Sequence, residues 1–186
     1  MDEKLEKLKK LRSHLQSSML PSSAGASTAS IAASSVYTSS LAWDPARPES
    51  TIITCVDGRW YHHFQEFARV HLGAGERTDF LAVPGGIEPL TLFDLVPKDF
   101  NFFRRRLEGL VESHGTHRIV AIAHQDCAWY KARHIGMVTI DLRDRQVADL
   151  RRAAARLRSM FAGVVVETYY ARLAGTSPDR VVFDAV

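Results

Sequence analysis

Thr51–Arg59 reads TIITCVDGR. β-forming residues run into Cys55, and Asp57, Gly58 and Arg59 then break the run. An apolar stretch that stops at Cys, Asp and Arg predicts a buried strand delivering reactive groups to its C-terminal end. The pattern returns at Arg118–Ala123 (RIVAIA), which runs into His124-Gln125-Asp126-Cys127. Cys55 and Cys127 are the two cysteines of the chain, and each stands just past a predicted strand. Cys, His and Cys are good zinc ligands, and three protein ligands with an open fourth position form a catalytic arrangement. Cys55, His124 and Cys127 are therefore the candidate metal ligands, with Asp57 and Arg59 beside them.

Outward from these stretches, strands and helices alternate. The sequence predicts strand over 51–56, helix over 61–73 on Phe64, Phe67, Ala68 and Leu72, and a short strand Phe80–Val83 ended by Pro84-Gly85-Gly86. Pro97 starts a helix to about Ser113, with Phe100, Phe103, Leu107, Leu110 and Val111 inward. Strand follows over Arg118–Ala123. Asp144 is expected to cap a long helix on which Val147, Leu150, Ala154, Leu157 and Phe161 recur at three and four. Val164–Tyr169 and a final, edge-like Val181–Val186 read as strands. This alternation predicts an α/β fold, a mainly parallel sheet flanked by helices, with the strand C-terminal ends on one edge. Cys55, Pro84–Gly86 and His124–Cys127 all fall on that edge.

Residues 1–42 read as an N-terminal helical extension and residues 43–186 as the zinc-binding α/β domain. Leu5, Leu8, Leu11 and Leu15 share one face of an amphipathic helix over 2–16. An isolated helix of that length is marginal in water, so the leucines need a partner, either the domain or a second subunit. Residues 17–42 have the Ser, Ala and Thr content of a linker, with more apolar residues than a spacer needs.

The bulk composition narrows the function. The net charge is +3 and the arginines are dispersed, with small clusters at Arg104–Arg106 and Arg151–Arg152 but no continuous basic stripe. Nucleic acid is not the expected partner. No window approaches the roughly eighteen apolar residues of a membrane span. The N-terminal charges are mixed and no apolar h-region follows, so neither a membrane nor a secretory route is expected. Few cysteines favour reduced thiols and a cytoplasmic setting.

Cys-x-Asp-x-Arg at one strand end and His-x-x-Cys at a later one resemble the β-class carbonic anhydrases. The resemblance covers roughly Thr51 to Val186, in the order of elements as well as the motifs. It implies zinc held by Cys55, His124 and Cys127, with the catalytic dyad Asp57 and Arg59 beside the open position. It implies reversible hydration of carbon dioxide to bicarbonate, and a homodimer or higher even oligomer in which N-terminal helices embrace the partner. The chemistry stands without the resemblance. Two thiolates and a neutral imidazole leave a zinc site with no net charge, and zinc acidifies bound water into a nucleophile near neutral pH. Asp57 can accept a hydrogen bond from that nucleophile, and Arg59 can hold Asp57 in place and ionised. If Arg59 let go, Asp57 could take the fourth zinc position and shut the site.

The chain departs from that family's pattern on the substrate side. Gly58 replaces the usual Ser between Asp and Arg. Pro84-Gly85-Gly86 stands where the family has Asn-Ala-Gly. His-Thr-Asp-Cys-Gly becomes His124-Gln125-Asp126-Cys127-Ala128, followed by Trp129 and Tyr130. Related folds hydrolyse carbonyl sulfide or carbon disulfide with the same zinc shell, so such a hydrolase is one alternative. A zinc-binding subunit without turnover is another. Each residue also has a plainer reading. The cysteines can be buried small hydrophobes or a disulfide, and Asp57 and Arg59 a structural ion pair. Gly85-Gly86 reads as a tight turn, His62 and His63 as helix-start residues, and Trp129 and Tyr130 as core or interface.

Overall fold

A computed structural model describes residues 36–73, 77–91, 97–133 and 141–186. The predicted helix over 2–16 and most of the Ser/Ala-rich tract lie outside the described residues. Every regular element described belongs to the compact unit Asp44–Val186.

The strands are β1 (Ser50–Thr54), β2 (Thr78–Ala82), β3 (Arg118–His124), β4 (Val165–Leu173) and β5 (Val181–Ala185). The helices are α1 (Gly58–Glu66, continuing as a π turn over Phe67–His71), α2 (Pro97–His114), α3 (Ala128–Arg133) and α4 (Leu142–Met160). The sheet order is β2-β1-β3-β4-β5. β1 pairs in parallel with β2 and β3, β3 pairs in parallel with β4, and β5 returns antiparallel on the edge. The α/β architecture is the one read from the sequence. None of the described helices is long and apolar enough to cross a membrane.

Why the central strands read as unbroken apolar runs is plain from the packing. Ile52, Val120, Ile122 and Ala171 face α1, together with Trp60, Phe64 and Phe67. Their neighbours Ile53, Ile119, Ala121, Ala123 and Val166 face α2 and α4, meeting Phe100, Phe103, Leu107, Leu150, Ala154 and Leu157. With both faces covered, alternation disappears and β-branched residues fill the strand. β3 is the clearest case, buried from Ile119 through His124.

Several boundaries differ from the sequence reading. β1 stops at Thr54, so Cys55 and Val56 already lie in the loop. α1 starts at Gly58, because Asp57 acts as its cap and accepts a hydrogen bond from the Arg59 N–H. His62 and His63 therefore sit inside α1 rather than at its start. The cap of α4 is Asp141, which accepts from the Arg143 N–H at 2.9 Å, while Asp144 lies in the first turn. The extra turn seats Leu142 against Cys55, Cys127 and Tyr130. β4 runs on to Leu173 because its last residues pair with β5. The short helix α3 and a 3₁₀ turn at Glu88–Leu90 were not anticipated.

The order 2-1-3-4-5 has one consequence for function. The chain adds β2 on one side of β1 and then moves to the other side for β3 and β4. The crevice at that reversal, beyond the C-terminal ends of β1 and β3, is where open α/β sheets bind ligands. Cys55 follows β1 directly, and His124 is the last residue of β3.

Candidate metal centre

Adjacent parallel strands deliver the three candidate ligands to that crevice. The ligand atoms of Cys55, His124 and Cys127 all lie within 4.8 Å of one another, and all three residues are buried. The two Sγ atoms are 3.9 Å apart and the cysteines are free, which removes the disulfide alternative. Two zinc–sulfur bonds of about 2.3 Å at a tetrahedral angle place sulfurs about 3.8 Å apart. The observed spacing matches that requirement.

The orientation of the histidine is set by its own loop. Nδ1 lies 2.8 Å from the Gln125 carbonyl oxygen, which can only accept, so Nδ1 carries the proton. In the neutral ring the lone pair is then on Nε2. That atom is buried and has no hydrogen-bond partner among the described residues. A buried acceptor without a partner is unfavourable unless something else takes the lone pair. A metal ligand bonded through one ring nitrogen, with the other donating to a carbonyl, has this form.

The His124–Cys127 loop is tied down from two sides. The Gln125 N–H donates to the Ala171 carbonyl at 2.8 Å, and the Leu173 N–H donates to the Gln125 side chain at 2.9 Å. From α4, the buried Gln146 amide donates to the His124 carbonyl at 3.0 Å. Asp126 turns the loop with φ of 63°. The Trp60 ring lies 5.0 Å from the His124 imidazole and walls it on the α1 side. Gln146 and Trp60 escaped the sequence reading. The available signal for Gln146 was a polar residue one turn before Leu150 on the buried face of the helix, which also carries Asp149.

Hydrogen bonding makes the two thiols unequal. The Cys127 hydrogen bond, and then the backbone amides of Asp57 and Gly85, pull Cys55 well below the usual thiol range against the opposing effect of burial. Cys127 is pushed up by that same hydrogen bond to Cys55 and by burial. The pair without a cation thus gives up one proton readily and resists losing the second.

Asp57 lies outside the ligand cluster, turned to Arg59. Arg59 Nε donates to Oδ1 at 3.0 Å and Nη2 donates to Oδ2 at 2.6 Å. Those hydrogen bonds hold the Asp57 carboxyl below the ordinary carboxylate range. Arg59 reaches on to Asp126 Oδ2 at 3.3 Å, and Lys131 pairs with the other oxygen of that carboxylate. The dyad therefore leans on the His124–Cys127 loop.

A family model described as "Putative carbonic anhydrase" matches residues 47–177. The chain belongs to that carbonic anhydrase family. The match spans both ligand segments and the Asp57–Arg59 pair. Among solved structures, the chain is similar to a carbonic anhydrase from Streptococcus mutans, at 20% identity over 76% of this chain and 87% of that one, with a TM-score of 0.46. It is similar to β-carbonic anhydrase isoform I from Trichomonas vaginalis, at 13% identity over 100% of both chains and a TM-score of 0.46. The β-carbonic anhydrase of Aspergillus fumigatus is 16% identical over 74% of this chain and 76% of that one, with a TM-score of 0.41. No curated protein matches the chain.

Proposed function

We propose that this carbonic anhydrase family member is a zinc-dependent lyase that hydrates carbon dioxide reversibly to bicarbonate. The observation that carries the reading is the buried, unpartnered Nε2 of His124 facing two thiols at tetrahedral-zinc spacing. When bound by Cys55, His124 and Cys127, zinc supplies Lewis-acid activation of water near neutral pH.

The chain's own residues do the rest. Asp57, ionised through its bonds to Arg59, accepts a hydrogen bond from the attacking water and orients its lone pair toward the carbon. Arg59 keeps Asp57 turned away from the ligand cluster, which would leave room there for water. Asp126 and Lys131 steady Arg59 from the neighbouring loop. The protein works, in this reading, as a cytoplasmic homodimer or higher even oligomer, without nucleic acid or membrane partners.

Stopped-flow hydration of carbon dioxide by zinc-loaded protein tests this, with sulfide release from carbonyl sulfide and carbon disulfide followed in parallel. Hydration well above the buffer rate is expected. Sulfide release without hydration would move the activity to a hydrolase, and neither reaction from protein carrying one zinc per chain would leave a metal-binding subunit.

A further inference from the structure

The two segments that depart from the β-class pattern, Pro84–Gly86 and the residues after Cys127, touch each other. Gly85 has φ of 77°, and a Cβ placed on it would fall into the Trp129 ring, 2.9 Å from Nε1 and 3.2 Å from Cγ. The indole thus occupies space that any other residue at Gly85 would fill. Its Nε1–H donates to Glu88 Oε2 at 3.1 Å. Glu88 is 4% exposed, an unusual burial for a carboxylate. Arg133 completes the unit, with its guanidinium 4.8 Å from the Trp129 ring and its Nε 3.5 Å from Glu88 Oε1. On the other side of the same turn, a Cβ on Gly86 would lie 3.1 Å from the Cys55 nitrogen and 3.2 Å from the Thr54 carbonyl carbon. A continuous packed path therefore runs from the Cys55 backbone through Gly86 and Gly85 to Trp129, two residues beyond Cys127.

We propose that Trp129 and Glu88 are positioning residues that clamp the Pro84–Glu88 turn against the Cys127 segment, and so hold the two metal-binding sulfurs at their spacing. This rests on the metal-centre reading above. The physical reason lies in the buried carboxylate. Glu88 takes one hydrogen bond, from the indole N–H to Oε2, while its buried Oε1 has no hydrogen-bond partner among the described residues and only the Arg133 charge 3.5 Å away, so sliding the turn would strip the carboxylate of the two contacts it has. The indole edge has no room to follow, because Gly85 already lies in van der Waals reach. Gly86 passes the constraint to the backbone at Cys55. What looked in the sequence like a tight turn and a core aromatic is one coupled device.

The experiment is a double-mutant cycle read on metal affinity. The variants are Trp129→Ala, Glu88→Ala, the double variant, and the conservative Trp129→Phe and Glu88→Gln. For each, the zinc dissociation constant is measured by chelator competition, the sulfur-to-metal band is recorded after cobalt loading, and the metal-free protein is melted. Trp129→Ala and Glu88→Ala are each expected to weaken zinc about 10-fold or more, as loss of an outer-shell partner typically does. The double variant should be no weaker than the worse single, because the two act as one unit. Glu88→Gln keeps an oxygen for the indole N–H and should stay close to wild type. The cobalt band should shift in the alanine variants and stay in place in Glu88→Gln, while the metal-free melts report separately how far losing a buried partner lowers stability. Losses that multiply, Glu88→Gln as weak as Glu88→Ala, or alanine variants with an unshifted cobalt band would overturn the clamp. If the alanine variants do not fold, Trp129→Phe decides: it keeps the ring and loses the N–H, so wild-type affinity in it overturns the proposal. Wild-type protein that takes up no zinc overturns the metal-centre reading and the clamp together, whereas zinc-binding wild type with independent variants overturns the clamp alone.

Discussion

Arg59 grips Asp57 through two side-chain nitrogens, at 3.0 Å and 2.6 Å, while its backbone N–H donates to the same carboxylate at 3.1 Å. Asp57 therefore has two roles that one substitution can separate. Asn caps helices as well as Asp does, so Asp57→Asn should leave α1 and the zinc content intact. It should lower carbon dioxide hydration strongly, since the neutral amide is a weaker hydrogen-bond acceptor than a carboxylate for orienting the attacking water. Arg59→Ala should fall similarly while keeping zinc, because it frees the carboxylate to turn toward the metal. Full hydration rates in both variants would reduce the pair to a cap and an ion pair.

The ligand cluster makes a direct claim on stoichiometry. Protein purified without added metal should carry one zinc per chain by elemental analysis. Cys127→Ser should lose most of it and fold less well, because the metal ties the loops after β1 and β3 together. A zinc content near zero that supplementation cannot raise would remove the site.

Gln146 offers a test of the ligand's support. Its amide donates to the His124 carbonyl from inside the core. Gln146→Leu keeps the volume and removes the donor, leaving a buried carbonyl without that bond. Zinc affinity should drop about 10-fold, as for other outer-shell partners of a metal-binding histidine. Chelator competition measures it, and an unchanged dissociation constant would show that the Gln125 contacts suffice.

The fold was legible because strands covered on both faces lose alternation, and β1 and β3 advertise themselves by that loss. The cluster of Cys55, His124 and Cys127 was legible as a candidate site because these residues stand at the ends of those runs. What escaped depended on tertiary contacts. The segment Ala128–Arg133 is too short for periodicity to declare a helix, and Tyr130 is buried by a tertiary cluster with Cys55, Cys127 and Leu142. Asp141 and Asp144 are equally good caps locally, and capping by the first seats Leu142 against Cys55, Cys127 and Tyr130. Glu88 opens a short 3₁₀ turn, and nothing local says that Trp129 arrives to donate a hydrogen bond to it and Arg133 to pair with it.

The oligomeric proposal rests on the sequence of residues 1–42. On a helix, Leu5, Leu8, Leu11 and Leu15 would form a stripe that needs an apolar partner, and a chain with the length of residues 17–42 would span roughly 25–30 Å if it behaved as a random coil. A twofold exchange of such an element is a low-cost route to a dimer. Light scattering on full-length protein should give an even oligomer, and deletion of residues 1–42 should lower its order and its thermal stability. An unchanged mass and melting temperature after deletion would exclude the clasp.

A last prediction concerns acid stability, away from the metal. Arg118 on β3 grips Glu167 on β4 through Nε at 2.8 Å and Nη2 at 3.1 Å, and also donates to the Leu72 carbonyl at 2.8 Å. Its hydrogen bonds, helped by the Tyr169 hydroxyl, hold the Glu167 carboxyl below its usual range. A folded-state pKa below the unfolded one means that the unfolded chain binds the proton more readily. The stabilisation is therefore present above the ordinary glutamate pKa and is lost as the pH falls through the folded value. Glu167→Gln should destabilise the protein by roughly 1 kcal/mol at neutral pH, the upper end for a partly exposed pair. The gap between variant and wild type should close as denaturation is repeated at successively lower pH. A gap that persists unchanged into strong acid would mean that Glu167 acts through packing rather than charge.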